Sequence, residues 1–396
     1  MINWYQVPAV FAMAVTLVLS TLTHAKDPVV GPKPQHVKDI FLPTPSGIRV
    51  ENWITGLEAP WSLVFLPDGR ALVSERPGRI RLITDGRLAE TPYAVFETAP
   101  GASSLGNFFL NLFASGEGGL MGLAVHPEFS TKPYIYAMYT WRGSGGVRNR
   151  IVRLRDRGSN ATFDKIVLGG VPGALFHNGG RIAFGPDGML YATTGEIFEM
   201  QMAQDLNALG GKVLRIDPEG GIPGDNPFTG SPVWSFGHRN PQGLAWHPKT
   251  STLYQSEHGP SGEFGFGAYD EINIIEKGRN YGWPQVVGAP ARSLYVDPIA
   301  MWPETSVPPA GMTFHKDALY VATLRSEALI RLRIDGQRVL SIERLFAKNQ
   351  HSGILGRLRD AVEGPDGRLY ILTSNRDGRG SPRPGDDKIL RLTIGN

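Results

Sequence analysis

Short apolar runs separated by turn residues recur along the chain, and long stretches of helical periodicity are missing. The clearest unit is Ile182-Ala-Phe-Gly-Pro-Asp-Gly-Met-Leu-Tyr-Ala-Thr-Thr-Gly195. One strand-like run enters Pro186-Asp187-Gly188 and a second leaves it. Proline presets φ, aspartate bonds nearby backbone and glycine accepts a positive φ, so the tripeptide closes a β-hairpin. Similar units cover 63–78, turning at Pro67-Asp68-Gly69, and 123–139, turning at Pro127-Glu128-Phe129. The pattern returns at 244–259 (Pro248-Lys249-Thr250), 312–324 (Lys316-Asp317) and 361–374 (Pro365-Asp366-Gly367).

The turns begin at 67, 127, 186, 248, about 316 and 365. A period of about 60 residues holds about four short strands. Six such units predict an all-β chain, a six-bladed β-propeller with four-stranded antiparallel blades around a central channel. A β-sandwich would use similar strands but offers no reason for six like units.

Composition agrees and narrows the function. The 396 residues include 49 glycines and 31 prolines, as tight turns between many strands require. The formal net charge of +3 does not suggest a nucleic-acid partner, though clustered arginines could still hold a small anion. With no cysteine there is no disulfide, thiolate metal site or cysteine nucleophile. Residues 1–25 carry no charged side chain, are mostly apolar from 7 to 22, and end in Thr23-His24-Ala25 before Lys26. They read as a signal peptide, with an uncleaved anchor as the rival, and place the mature protein in the periplasm or outside the cell without stable membrane insertion. Residues 26–47 then form an N-terminal surface segment, and 48–396 the propeller.

An antiparallel hairpin begins and ends on one side, so residues flanking the hairpins gather at one rim of the channel. His177 and Arg239 both stand nine residues before their turn proline; Glu117 stands ten before, and Arg357 and Arg359 eight and six before. Glu75, Glu196, Glu257 and Arg325 mark the other ends of their hairpins. Charges at strand ends are often merely solvated, but these share one phase across several blades. Alternation along a strand sends Arg357 and Arg359 to one face, and with Arg325 nearby they call for an anionic partner bearing carboxylates or phosphates. His177, on the same rim, is a structural histidine or a base near neutral pH. A second cluster, Glu257-His258-Gly259-Pro260 with Asp270-Glu271-Ile272-Asn273 and Asn280-Tyr281-Gly282-Trp283-Pro284, mixes carboxylates with glycine-rich backbone and suits calcium.

Several stretches resemble the soluble quinoprotein glucose/sorbosone dehydrogenase family, especially its aldose sugar dehydrogenases. They include Phe236-Gly-His-Arg-Asn-Pro-Gln-Gly243, Ser256-Glu-His-Gly-Pro260, Asn280-Tyr-Gly-Trp-Pro284 and Gly356-Arg-Leu-Arg-Asp360. The likeness runs from about residue 48 to the C-terminus. It implies pyrroloquinoline quinone (PQQ) and Ca2+ as cofactors, a small sugar as substrate and an external electron acceptor. By the same resemblance His177 is the base and Arg239 with Asn240 lies over the quinone carbonyls. Arg357 and Arg359, with Arg325, clamp the cofactor carboxylates. Glu117 stands where a glutamine is common. Gly259 and Pro260 offer carbonyls to the cofactor's calcium, and Glu271 and Tyr281 belong to a separate calcium site. Phe176 replaces an acidic residue of some glucose-oxidising relatives, and the loop from 260 to 270 is longer than in some members. A calcium-dependent lactonase or a non-catalytic binding propeller remains the rival reading.

Overall fold

The computed structural model describes residues 27–32, 34, 37–99, 116–143 and 145–395. The expected signal peptide lies outside the described residues. Among them, no helix is long and apolar enough to cross a membrane.

Six antiparallel sheets follow one another along the chain, and the first strands of neighbouring sheets pack side by side to close a ring. The protein is a six-bladed β-propeller. Blade one begins with strands Pro60–Phe65, Ala71–Glu75 and Arg79–Thr84; blade two is Leu120–Val125, Tyr134–Gly143, Gly146–Asp156 and Ala161–Pro172. Blade three is Ile182–Phe184, Leu190–Thr194, Lys212–Ile216 and Val233–Phe236; blade four is Asn240–Trp246, Leu253–His258, Asp270–Ile275 and Ala300–Trp302. Blade five runs Pro309–His315, Ala318–Thr323, Leu329–Asp335 and Arg338–Leu345. Each blade's inner strands are apolar on both faces, because each sheet is covered by a neighbour on either side; Leu72, Ile135, Leu190, Leu319 and Ile371 are fully buried.

Blade six joins the two ends of the chain. Leu358–Glu363, Leu369–Thr373 and Ile389–Ile394 are completed by Ile48–Ile54, antiparallel to Ile389–Ile394. The first strand of the expected propeller domain therefore closes the last blade. Leu57 and Asp387 exchange backbone hydrogen bonds at this junction, each 3.0 Å. Upstream, Asp39–Leu42 lies parallel to Arg338–Leu345 as a fifth strand on blade five, and Val29–Val30 pairs with Val286–Val287. Asp39 fastens this segment: its Oδ2 lies 2.5 Å from Nε of the buried Arg344 and accepts from Trp302 Nε1 at 3.0 Å.

The channel is plugged below the rim. Arg181 donates to Asp360 Oδ2 at 3.0 Å, to Ser62 Oγ and to the Gln242 carbonyl, with its guanidinium 4.3 Å from the Trp61 ring. The site above is thus a blind cup. Replacing Asp39 with alanine should cost about 3–5 kcal/mol, because it strands the buried Arg344 charge. Chemical denaturation would measure this, and an unchanged midpoint would show that the segment contributes nothing to blade five.

Candidate active site

Strand ends supply the side chains, and bulges aim them. The pairings of the first strands in blades one, four and six slip between Pro60 and Ser62, Pro241 and Gly243, and Leu358 and Asp360. Each slip lies at the channel mouth, where an extra residue bends the strand and redirects side chains inward. Arg239, Asn240, Arg357 and Arg359 stand beside these bulges, and all four are buried.

Five arginines converge, and the protein neutralises only some of them. Arg357 pairs with Asp377 at 2.9 Å, Arg379 with Glu117 at 3.0 Å and Arg239 with Glu263 at 2.5 Å. Among the described residues Arg359 hydrogen-bonds only the neutral Gln242 Oε1 at 3.1 Å, and its Nε has no partner. Arg76 donates to the carbonyls of Gly116 and Gly118. Burial above all, with Arg76 and Arg357 alongside, pushes the Arg359 guanidinium down to about 9. Burial also lowers Arg76. This pocket asks for an anion.

His177 sits beside that pocket on a backbone with φ of 56°. Its Nδ1 lies 2.5 Å from Glu196 Oε1, and its main-chain N–H donates to Glu117 Oε2 at 3.2 Å. Glu117 also accepts from Asn240 Nδ2 at 3.3 Å. Burial works against the Glu117 charge, but Arg379, His177 and His258 outweigh it and hold the carboxyl well below the usual range. Glycine makes this crowding possible: a Cβ on Gly195 would fall 2.1 Å from the His177 carbonyl oxygen.

Next to Arg239 lies a cavity of about 30 Å3 lined by Glu257, Gly259, Pro260, Glu271, Tyr281 and Trp283, among others. Glu257 and Glu271 face each other across adjacent strands. Glu257 accepts from His238, from Gln255 and from the Arg239 main chain. Glu271 accepts only from Asn273 at 2.8 Å, and burial, then Glu257, raises its carboxyl well above the ordinary value. Two facing carboxylates, one of them with a single amide donor among the described residues, fit a hard cation. The Tyr281 hydroxyl is already engaged by the Ile274 carbonyl and the Glu276 N–H, so its main-chain oxygen is the atom left for an ion.

The residues expected from the sequence fall into these two neighbouring groups, which Arg239 joins, except Arg325. That side chain is exposed, with no ion pair or hydrogen bond among the described residues. Sequence reading passed over Arg76, Asp377, Arg379 and Glu263. Arg76 follows Glu75 and shares its rim, so the phase argument could have found it. Glu263 carries no such signal, since it comes from a loop outside the hairpin repeat.

A six-bladed propeller with a blind, arginine-rich cup and a histidine–carboxylate pair at its mouth is the setting of a small-molecule enzyme rather than a protein-docking ring. A sequence model of the family described as glucose/sorbosone dehydrogenase matches residues 57–390, and the chain belongs to that family. It is a dehydrogenase, like the relatives named next. It is 31% identical over 366 residues to an aldose sugar dehydrogenase of Escherichia coli, covering 84% of this chain and 92% of that one. The PQQ-bound aldose sugar dehydrogenase of Streptomyces coelicolor is 38% identical and superposes with a TM-score of 0.74, covering 88% of this chain and 98% of that one. An oxidoreductase of Thermus thermophilus, described as a glucose dehydrogenase, is 51% identical with a TM-score of 0.79 over 88% of this chain and 100% of that one.

Gly195→Ala should push the His177 backbone out of place and cost about 1–3 kcal/mol. Activity should fall with it in a kinetic assay of the folded variant; full activity would show that the loop tolerates the displacement.

Proposed function

We propose that the protein oxidises aldoses at the anomeric carbon to lactones, using PQQ and calcium. The observation that carries this reading is the buried Arg359, its Nε unpaired beside Arg76 and Arg357. A carboxylate-bearing cofactor would satisfy all three guanidiniums. A lactonase gives no reason for them, and a non-catalytic propeller gives none for the His177–Glu196 pair.

Arg76, Arg357 and Arg359 would hold the cofactor carboxylates, and Arg239 with Asn240 would face its quinone oxygens. The Gly259 and Pro260 carbonyls would face its calcium. When bound, the quinone supplies the two-electron acceptor for the hydride of the anomeric carbon. The Nδ1–H of His177 donates a hydrogen bond to Glu196, which would leave Nε2 without a proton and able to take that of the anomeric hydroxyl. The developing imidazolium is then stabilised by the Glu196 carboxylate at 2.5 Å. Glu117 orients the loop through the His177 main chain. Glu257, Glu271 and Tyr281 form the second, structural calcium site in this reading. Electrons leave to an external acceptor, and the apolar leader over 1–25 exports the chain to the periplasm or beyond.

His177→Ala should still bind the quinone while turnover falls by about a hundredfold or more. Spectral titration with PQQ followed by steady-state kinetics separates the two effects. Near-normal turnover at saturating cofactor would sink this mechanism. Calcium should raise the melting temperature in proportion to the logarithm of its concentration, because it binds the folded state alone. Glu271→Ala should abolish most of that response in differential scanning calorimetry. A variant that still responds fully would remove Glu271 from the ligand set.

A further inference from the structure

Phe198 is 52% exposed at the mouth of the cup, yet it is tightly placed. Its ring centroid is 4.0 Å from that of His177, tilted by 33°. It follows Glu196, the His177 partner, through two residues with left-handed backbone: φ is 52° at Ile197 and 65° at Phe198. Such conformations are costly for branched and aromatic residues and persist where the surroundings enforce them. Phe176 meets Phe198 edge-on at 6.1 Å, and Arg379 covers the Phe176 ring at 5.1 Å. An aromatic wall therefore rises on one side of the imidazole, with one of its large rings half open to solvent.

A carboxylate stands by the same imidazole. The longer loop after Pro260 carries Glu263, whose Oε1 pairs with Arg239 and whose Oε2 accepts from the Ser261 N–H at 2.6 Å. Glycines 262 and 265 both take left-handed φ, 129° and 79°, and Phe264 anchors the loop edge-on against Trp283 at 5.8 Å. Ligand-capable atoms of Glu263, His177 and Glu196 all lie within 4.8 Å of one another. The Arg239 pair alone explains the charge of Glu263 but not its delivery, by a glycine-hinged loop, to the atoms around the base.

Resting on the function proposed above, we propose that Phe198 and Glu263 form the sugar-positioning pair. Phe198 stacks on the apolar C–H face of the aldose ring, and Glu263 accepts from the hydroxyl adjoining the anomeric carbon. A ring presses its C–H groups against the electron-rich face of an aromatic side chain, and a carboxylate accepts hydroxyl protons in a charge-assisted bond. Recognition then reads the ring face and one neighbouring hydroxyl, so several aldopyranoses enter, and loss of that hydroxyl is felt.

The test uses the protein loaded with PQQ and calcium. Wild type should bind 1,5-anhydro-D-glucitol, which lacks the anomeric hydroxyl, and calorimetric titration reads this without turnover. Phe198→Ala should weaken that binding by about fivefold. Glu263→Gln should weaken it by about tenfold or more, without weakening PQQ uptake in a spectral titration. The KM of wild type for 2-deoxyglucose should exceed that for glucose by about tenfold, and Glu263→Gln should collapse the ratio toward one. Thermal melts confirm that both variants fold. Unchanged anhydroglucitol binding in both variants overturns the proposal. So does weaker PQQ uptake by Glu263→Gln, which would make that residue part of the cofactor cradle. Failure of the underlying function shows elsewhere, in a wild-type protein that takes up no quinone.

Discussion

Much at the mouth of this propeller answers to one constraint: a buried guanidinium needs an anion, and among the described residues the Arg359 Nε has no partner. Arg357, Arg379 and Arg239 are paired with carboxylates, whereas among the described residues Arg359 hydrogen-bonds an amide and Arg76 main-chain oxygens, with the Asp377 charge acting on both. Taking such charges out of water is expensive unless they are paired. A site that keeps this deficit on the floor of a blind cup is preorganised for an anionic ligand.

The fold bears this deficit because strand pairing, with no covalent link, closes the ring. Ile48–Ile54 completes the sheet that holds Arg357 and Arg359, so the N-terminal strand secures the blade carrying the unpaired charge. Arg181 and Asp360 tie blades three and six across the channel below. The mouth can therefore hold like charges close without the blades spreading. Bulges at the starts of the inner strands turn this rigidity into aim, and glycines such as Gly195 let strand and loop backbones touch.

The cation side has the opposite imbalance. Glu257 and Glu271 face each other, Glu271 with a single donor among the described residues, and Arg239 lines the same cavity. In the function proposed above, positive and negative groups lie close enough for an anion and a hard cation to sit side by side.

The sequence by itself determined the period. Proline, aspartate and glycine at regular intervals dictate hairpins locally, through φ and short-range hydrogen bonds, so six blades and the shared rim of His177, Arg239, Arg357 and Arg359 could be read without coordinates. The blocks around Arg239, Gly259 and Tyr281 carried the family likeness in the same linear way. Tertiary structure decided what depends on distant partners. It moved Ile48–Ile54 to the last blade, since which edge a strand completes is a matter of ring geometry and not of local propensity. It left Arg325 in solvent, brought in Arg76 and Arg379, and carried Glu263 from a loop outside the repeat to the side of His177. Those placements arise from packing between segments up to hundreds of residues apart, and a local pattern holds no record of them.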